Sequence, residues 1–216
     1  MATLDVLSSA EAIEAISSPG VSSTKLAKVV TAVSLRLDEA VGPIVRRTIT
    51  GEVRSGVAGW RTIELSRWPV VSISSLVEYD ESGSSTTLTG ETPSSKPSDG
   101  FRLTPTTAEP ELGLYRPLVE RRSSGRPDEF EETVVATYVA GRFANTAAVD
   151  ERYKEAARIM LVNLWQRVLT GTITFDDAEV PRYPFPRFAI PRSAYELLRD
   201  VWHELDAAGA PLPGFG

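Results

Sequence analysis

Few side chains in this sequence could carry out chemistry. The chain of 216 residues has one histidine, His203, and no cysteine. Without cysteine it can form no disulfide, thiolate metal site, iron–sulfur cluster or cysteine nucleophile. A catalytic triad or a zinc site would have to be built around His203. That residue lies in the helical pattern AYELLRDVWHELDAA, so we interpret it as a partly exposed helix residue beside Trp202.

The acidic residues do not have the spacing of a metal site. Two groups lie close together in the sequence: Asp176, Asp177 and Glu179, and Glu129, Glu131 and Glu132. Neither has the alternating oxygen ligands, central glycine and distal glutamate of an EF-hand, so we interpret both as surface charges. Glu11 and Glu14 share a predicted helix, but a diiron site or a glycosidase would need histidines or matching carboxylates elsewhere. The sequence predicts no metal and no cofactor.

Serine is abundant in two polar stretches, SGSSTTLTGETPSSKPSDG and RRSSGRPDEFEE. Neither contains a G-x-S-x-G elbow or an S-x-x-K pair, so we predict solvated loops there instead of a nucleophile. The chain also lacks the glycine-rich nucleotide-binding motifs and a stacked-aromatic motif for nucleic acid. These observations together predict a protein that is not an enzyme.

The charge balance limits the possible partners. Lysine and arginine number 23 against 29 acidic residues, for a net charge of -6. This balance disfavours a protein whose task is to grip nucleic acid, although it suits one that lets DNA pass. No apolar run approaches the roughly 20 residues that cross a bilayer, and the first residues do not form a secretory signal. We therefore expect no membrane partner and synthesis in a cytoplasm.

Periodicity divides the chain into helical ends and a β-rich middle. Apolar residues at helical spacing predict helices over 4–17, 22–41 and 147–169, and a last helix opens at residue 192 or 193. Between 44 and 139, alternating runs such as PVVSISSLVEY and ETVVATYVA predict strands. The run PRYPFPRFAIPR has four prolines and favours an extended course suited to docking.

Three segments carry a pattern more specific than periodicity. They are Arg67–Leu76 (RWPVVSISSL), Tyr138–Gly141 with the following Val149–Arg167, and Ala189–Leu198 (AIPRSAYELL). The first resembles the "hydrophobic-x-P-V-x-S-V-x-S-V" strand of the head-to-tail adaptor proteins of tailed bacteriophages. The second is similar to the long helix of that family, and the third to a frequent tail segment in actinobacterial phages. Departures from the family are Asp150, where proline is common, and a long polar insertion between about 81 and 131.

The resemblance implies an α+β fold built on a helical adaptor core. Two N-terminal helices, one long central helix and one C-terminal helix would form this core, with a β-rich insertion between the second and third helices. The adaptor body would span 1–180, with the insertion at 44–139, and an extended docking segment and helix would span 181–216.

The same resemblance implies a structural role in a virion. Copies would form a ring of about twelve beneath the portal protein, with a stopper or tail-terminator protein on the tail side and DNA as passing cargo. The ring would assemble in the host cytoplasm and join the capsid to the tail. Expected portal-docking residues are Tyr183, Phe185, Phe188, Ile190, Leu197, Leu198, Val201 and Trp202. Expected ring-packing residues are Val29, Val33, Leu37, Ile159, Leu164 and Trp165.

Three alternatives stay open at the level of sequence. A tail-completion or stopper protein would share the β-rich middle and the lack of catalytic motifs. A hydrolase that uses scattered Ser, Asp or Glu residues would show turnover that depends on a residue such as His203. A small DNA-binding protein would show salt-dependent affinity for duplex DNA, which the net negative charge disfavours.

Overall fold

The computed structural model describes residues 4–17, 22–105, 112–169 and 189–199. The chain folds into two compact units. The β unit spans residues 46–142, and the helical unit takes the described residues of 1–45 and 143–216. None of the helices in the described ranges is long and apolar enough to span a membrane.

The helical unit holds the four α-helices of the described residues: α1 (Ser9–Ile16), α2 (Ser23–Val41), α3 (Glu151–Leu169) and α4 (Arg192–Leu197). α1 starts later than the predicted residue 4 because Ser8 caps it. The Ser8 hydroxyl accepts from the Glu11 amide at 3.3 Å, and the Ser8 amide donates to the Glu11 carboxylate at 2.7 Å. This reciprocal capping box fixes the first turn of the helix. α2 ends at Val41 and is followed by Gly42, whose φ of 76° is unfavourable for other residues, and then by Pro43.

The long helix α3 packs against each of the other three helices. It contributes a row of buried side chains to the core: Tyr153, Ala156, Ala157, Met160, Leu161, Leu164 and Trp165. α2 faces it with a second buried row: Leu26, Val29, Val30, Val33 and Leu37. Polar contacts fix the helix ends and connections. The Ile44 amide donates to the Asp38 carboxylate at 2.8 Å, and the Val6 amide donates to the Ser34 hydroxyl at 2.9 Å.

The β unit contains one sheet with nine strands in the described residues. In chain order these are β1 (Arg47–Ser55), β2 (Thr62–Glu64), β3 (Val70–Tyr79), β4 (Ser85–Thr87), β5 (Thr89–Gly90), β6 (Gly100–Pro105), β7 (Tyr115–Ser123), β8 (Arg126–Pro127) and β9 (Thr133–Ala140). The main path is β1-β9-β3-β7-β6-β5, while β2 and β8 pair with β7 and β4 pairs with β3. All pairs are antiparallel except β5 with β6.

One face of this sheet forms the core of the β unit. Its centre contains Val70, Leu76, Val119, Val134 and Tyr138, all fully buried. Along β9, half-buried and buried residues alternate without exception, as the two-residue period of a strand requires. Bulges interrupt the pairing of β1 and of β3 with β9, between Ile49 and Glu52 in β1 and at two places in β3.

The predicted fold class was wrong. The described residues form a large mixed sheet of nine strands with four helices, instead of a helical adaptor core that carries a minor β insertion. The two polar stretches predicted to be loops contain β4, β5 and β8, together with one end of β6 and one end of β7. The end of β7 was missed because this strand carries four charged residues, which resemble loop residues until their ion pairs within the sheet are known. Pairing such as that of Arg47 with Ala140 also joins positions far apart in the sequence, which local periodicity does not report.

Candidate assembly surface

Ser66 is the serine whose surroundings come nearest to a catalytic arrangement. Its hydroxyl donates to the Glu52 carboxylate at 2.6 Å and its amide donates at 2.8 Å, while the Tyr138 hydroxyl donates to the same carboxylate at 2.7 Å. Burial alone would raise the pKa of Glu52, but these hydrogen bonds outweigh it and lower that pKa. Burial, followed by the hydrogen bond to Glu52, raises the pKa of Tyr138 to about 12.

This network is structural. A serine nucleophile needs a neighbouring base that can accept its proton, and a carboxylate with lowered pKa and occupied lone pairs is a poor acceptor. The network instead links β1 and β9 to the chain ahead of β3, where the Arg67 amide donates to the Tyr138 hydroxyl at 3.1 Å. His203 lies outside the described residues.

Ionisable residues elsewhere do not form a metal centre. Across residues 4–17, 22–105, 112–169 and 189–199, no group of three or more His, Asp or Glu side chains could hold a metal ion. Of the two acidic groups found in the sequence, the one at Asp176, Asp177 and Glu179 lies outside these ranges. The other, at Glu129, Glu131 and Glu132, has partly to fully exposed side chains, as the interpretation as surface charges predicts.

Two arginines of β7 connect the strands of the β unit. Arg121 makes a two-pronged contact with Glu78 of β3, with nitrogen–oxygen distances of 2.8 and 3.1 Å, and it also reaches Asp99 at 3.2 Å. The side chains of Arg121 and Glu78 are only 6% and 3% exposed. Arg122 contacts Glu91 at 2.8 Å and Glu120 at 3.0 Å. These pairs fix the segment between β3 and β6 to the sheet, which is a structural role.

A groove of about 390 Å³ opens beside Trp60 in the β unit. Trp60 is 59% exposed, and Val53 of β1 is 55% exposed. The lining combines the end of β1 with the segment that carries β2: Arg54, Ser55, Gly56, Val57, Trp60, Ile63, Glu64, Leu65 and Ser66. Exposed aromatic side chains beside a concave surface are typical of protein contact sites.

The expected portal-docking residues are only partly within the described residues. Ile190 and Leu198 are buried in the helical unit, whereas Leu197 of α4 is 39% exposed. The others, Tyr183, Phe185, Phe188, Val201 and Trp202, lie outside the described ranges. A cleft of about 280 Å³ separates α3 from residues 189–192 and is lined in part by Met160 and Leu164. Leu197 is therefore the described member of this set that offers surface to a partner, and docking stays a prediction.

The expected ring-packing residues lie inside the helical unit. Five of them are buried there: Val29, Val33, Leu37, Leu164 and Trp165. Ile159 is half-buried. Through these apolar residues, α2 and α3 pack against each other within one chain. A role between copies stays a prediction, and surfaces that are exposed in the single chain are the more direct candidates.

Comparison with known proteins gives no family from sequence but a clear likeness in fold. No family model matches the chain, and no curated protein matches it. The fold is similar to a chain from the neck of an empty gene transfer agent particle computed with C6 symmetry, at 15% identity, 100% coverage of this chain, 96% of that chain and a TM-score of 0.58.

Two further solved structures agree. A chain from the neck of a native gene transfer agent particle, computed with C12 symmetry, is 16% identical over 100% of this chain and 98% of that chain, with a TM-score of 0.51. A chain from the virion of a native gene transfer agent particle is 13% identical over 98% and 92%, with a TM-score of 0.51. The fold described above is therefore shared, over nearly its whole length, with chains of gene transfer agent necks and virions.

Proposed function

We propose that this chain is a structural protein of the neck of a phage-like particle, where its copies form a ring between head and tail. The observation that carries the proposal is the likeness to a neck chain over 100% of this chain and 96% of the other. A likeness that covers both chains end to end is stronger support than one shared domain, because common domains serve many functions.

The finer part of the proposal is the position of an adaptor, directly below the portal. Here the chain would form a ring of about twelve copies, contact the portal on one side and a stopper or tail-terminator protein on the other, and let DNA pass. The symmetry of the neighbouring particles, C6 and C12, supports a ring. A net charge of -6 suits a passage that does not retain DNA. The protein would reside in the virion after assembly in the host cytoplasm.

A role without catalysis fits the polar networks of the described residues. The Ser66 hydroxyl is bonded to a carboxylate with a lowered pKa, and the buried Arg121 and Glu78 neutralise each other. Such groups stabilise a fold and leave no activated nucleophile or base.

The test is negative-stain electron microscopy of the purified chain, alone and mixed with its cognate portal. We expect rings stacked on the portal. A chain that forms no ring and no portal complex under any assembly condition would contradict the proposal. A ring that binds a tail-side protein but never the portal would keep the neck role and move the chain to the stopper position.

A further inference from the structure

The outward side of the sheet formed by β1, β9, β3 and β4 is uncharged. The register places the outward residues in cross-strand rows, of which two are Thr48, Val139 and Ser72, and Val53, Val135 and Val77. The residues that alternate with them in β9 point into the core and are fully buried. We call this outward side of the four strands the uncharged face.

Every outward position on the uncharged face is valine, threonine, serine or tyrosine, apart from the bulge residue Gly51. The four charged residues of these strands alternate with the face and lie on the opposite side: Arg47, Glu52, Arg54 and Glu78. This distribution is unusual, because the solvent side of an antiparallel sheet normally carries the charged residues and the core side does not. The face is open in the single chain, since its residues are half-buried or exposed.

A surface depleted in charge but still open to solvent has the composition of the centre of a protein interface. The strands β1, β9 and β3 lie roughly 4.8 Å apart and run about eight residues at roughly 3.3 Å each, and the three residues of β4 add a short fourth strand, for an area of about 430 Å². A standard interface buries about 800 Å² on each partner, so this face could supply more than half of one.

The charge of the chain favours a second copy as the partner of this face. Copies with a net charge of -6 repel one another, so they meet at the lowest cost through surfaces that carry no charge. A basic protein or a nucleic acid would gain nothing from this face, because it offers neither acidic nor basic groups. We propose that the uncharged face is the surface through which one copy contacts the next in the ring, an inference that rests on the proposed neck function.

Single cysteines can test this contact because the chain has none of its own. Thr48→Cys and Val53→Cys place a thiol on the uncharged face, and Thr62→Cys at an exposed position of β2 is the matched control. The rate of labelling by a maleimide is measured in the free chain and in the ring formed by the chain alone. We expect labelling to slow at least about tenfold at both face positions in the ring and to stay unchanged at Thr62.

A second variant pair tests the same contact by repulsion. Thr48→Glu adds a negative charge to the face at an exposed position, whereas Thr62→Glu adds it elsewhere. We expect the first to abolish the ring while the monomer keeps its circular dichroism and melting temperature, and the second to assemble normally.

The outcomes separate this inference from the proposed function. Rings in which both face cysteines keep their free-chain labelling rate would overturn the inference and leave the neck role intact. Protection that arises only after portal or tail-side protein is added would assign the face to another protein, which also overturns it. Failure of the unmodified chain to form any ring would overturn both.

Discussion

At the scale of single residues, the β unit places charges where apolar side chains are expected. Arg121 and Glu78 are nearly inaccessible to solvent and lie on the same side of the sheet as the core. Removing two charges from water is costly, and the cost is offset only while each charge keeps its partner and its hydrogen bonds. Arg121 meets this condition by contacting Glu78, Asp99 and the carbonyl oxygen of Arg122.

The corresponding prediction concerns loss of one partner. Arg121→Met leaves Glu78 as a buried and uncompensated charge, so we expect the free energy of unfolding to fall by about 3–5 kcal/mol. The double variant Arg121→Met with Glu78→Leu removes that charge and should recover part of the loss. Urea denaturation of each variant measures both effects.

The matched control is Arg102→Met, which removes an exposed arginine that pairs with Glu120 at 3.0 Å. Exposed pairs contribute about 0–1 kcal/mol, so this variant should remain close to the unmodified chain. If Arg121→Met proves no more destabilising than Arg102→Met, the buried pair of Arg121 and Glu78 does not stabilise the fold as expected.

At the scale of elements, the Glu11 carboxylate holds α1 in place. Glu11 closes the capping box with Ser8 and accepts a hydrogen bond from Lys154 of α3 at 2.7 Å. Burial would raise the pKa of Glu11, but the hydrogen bonds from Lys154 and Ser8 outweigh it and lower the pKa from 4.5 to about 2. The anion thus secures both the first turn of α1 and its contact with α3.

This lowered pKa predicts an acid-dependent loss of stability. Because the folded pKa lies below the ordinary value, Glu11 stabilises the fold fully above pH 4.5, and its contribution is lost as the pH falls towards about 2. Glu11→Gln should therefore be less stable than the unmodified chain at neutral pH, with the difference shrinking over this range. Melting temperatures of both proteins across the range provide the measurement, and a difference that does not depend on pH would argue against this role.

At the scale of the whole molecule, the proposed ring requires contacts that a single chain leaves unused. The apolar stripes of α2 and α3 are already buried by packing within the helical unit. The remaining candidates for contacts between copies are therefore side chains that are exposed in the single chain. They include Trp60 and Val53 in the β unit and Leu197 on α4.

Portal binding through α4 predicts sensitivity at Leu197. Burial of a leucine side chain is worth about 1.5–3 kcal/mol, so Leu197→Asp should weaken capture of the chain by the portal at least tenfold. Ile13→Asp is the control, because Ile13 is 46% exposed on α1 and is not among the expected docking residues. Undiminished capture of Leu197→Asp in a pull-down would refute docking through this face of α4.

Much of the local structure could be predicted from the sequence. The periodicity of Leu26, Val29, Val33 and Leu37 predicts the buried stripe of α2, because a helix repeats every 3.6 residues wherever it packs. The alternation in TVVATYVA likewise predicts β9. The uncharged face also had a signal in the sequence, since alternate positions of β1 and β9 lack charge, but this pattern has meaning only once the two strands are known to be neighbours.

The sequence by itself determined that this chain has no cysteine chemistry, that its helices lie near its two ends and that its middle contains strands, because these follow from residue type and local period. Only the tertiary structure decided that the middle forms a nine-stranded sheet. It also decided that Arg121 belongs to the interior and that Glu52 binds Ser66 and Tyr138. The physical reason is that these features depend on pairing between segments far apart in the chain, where register places each side chain on one face or the other.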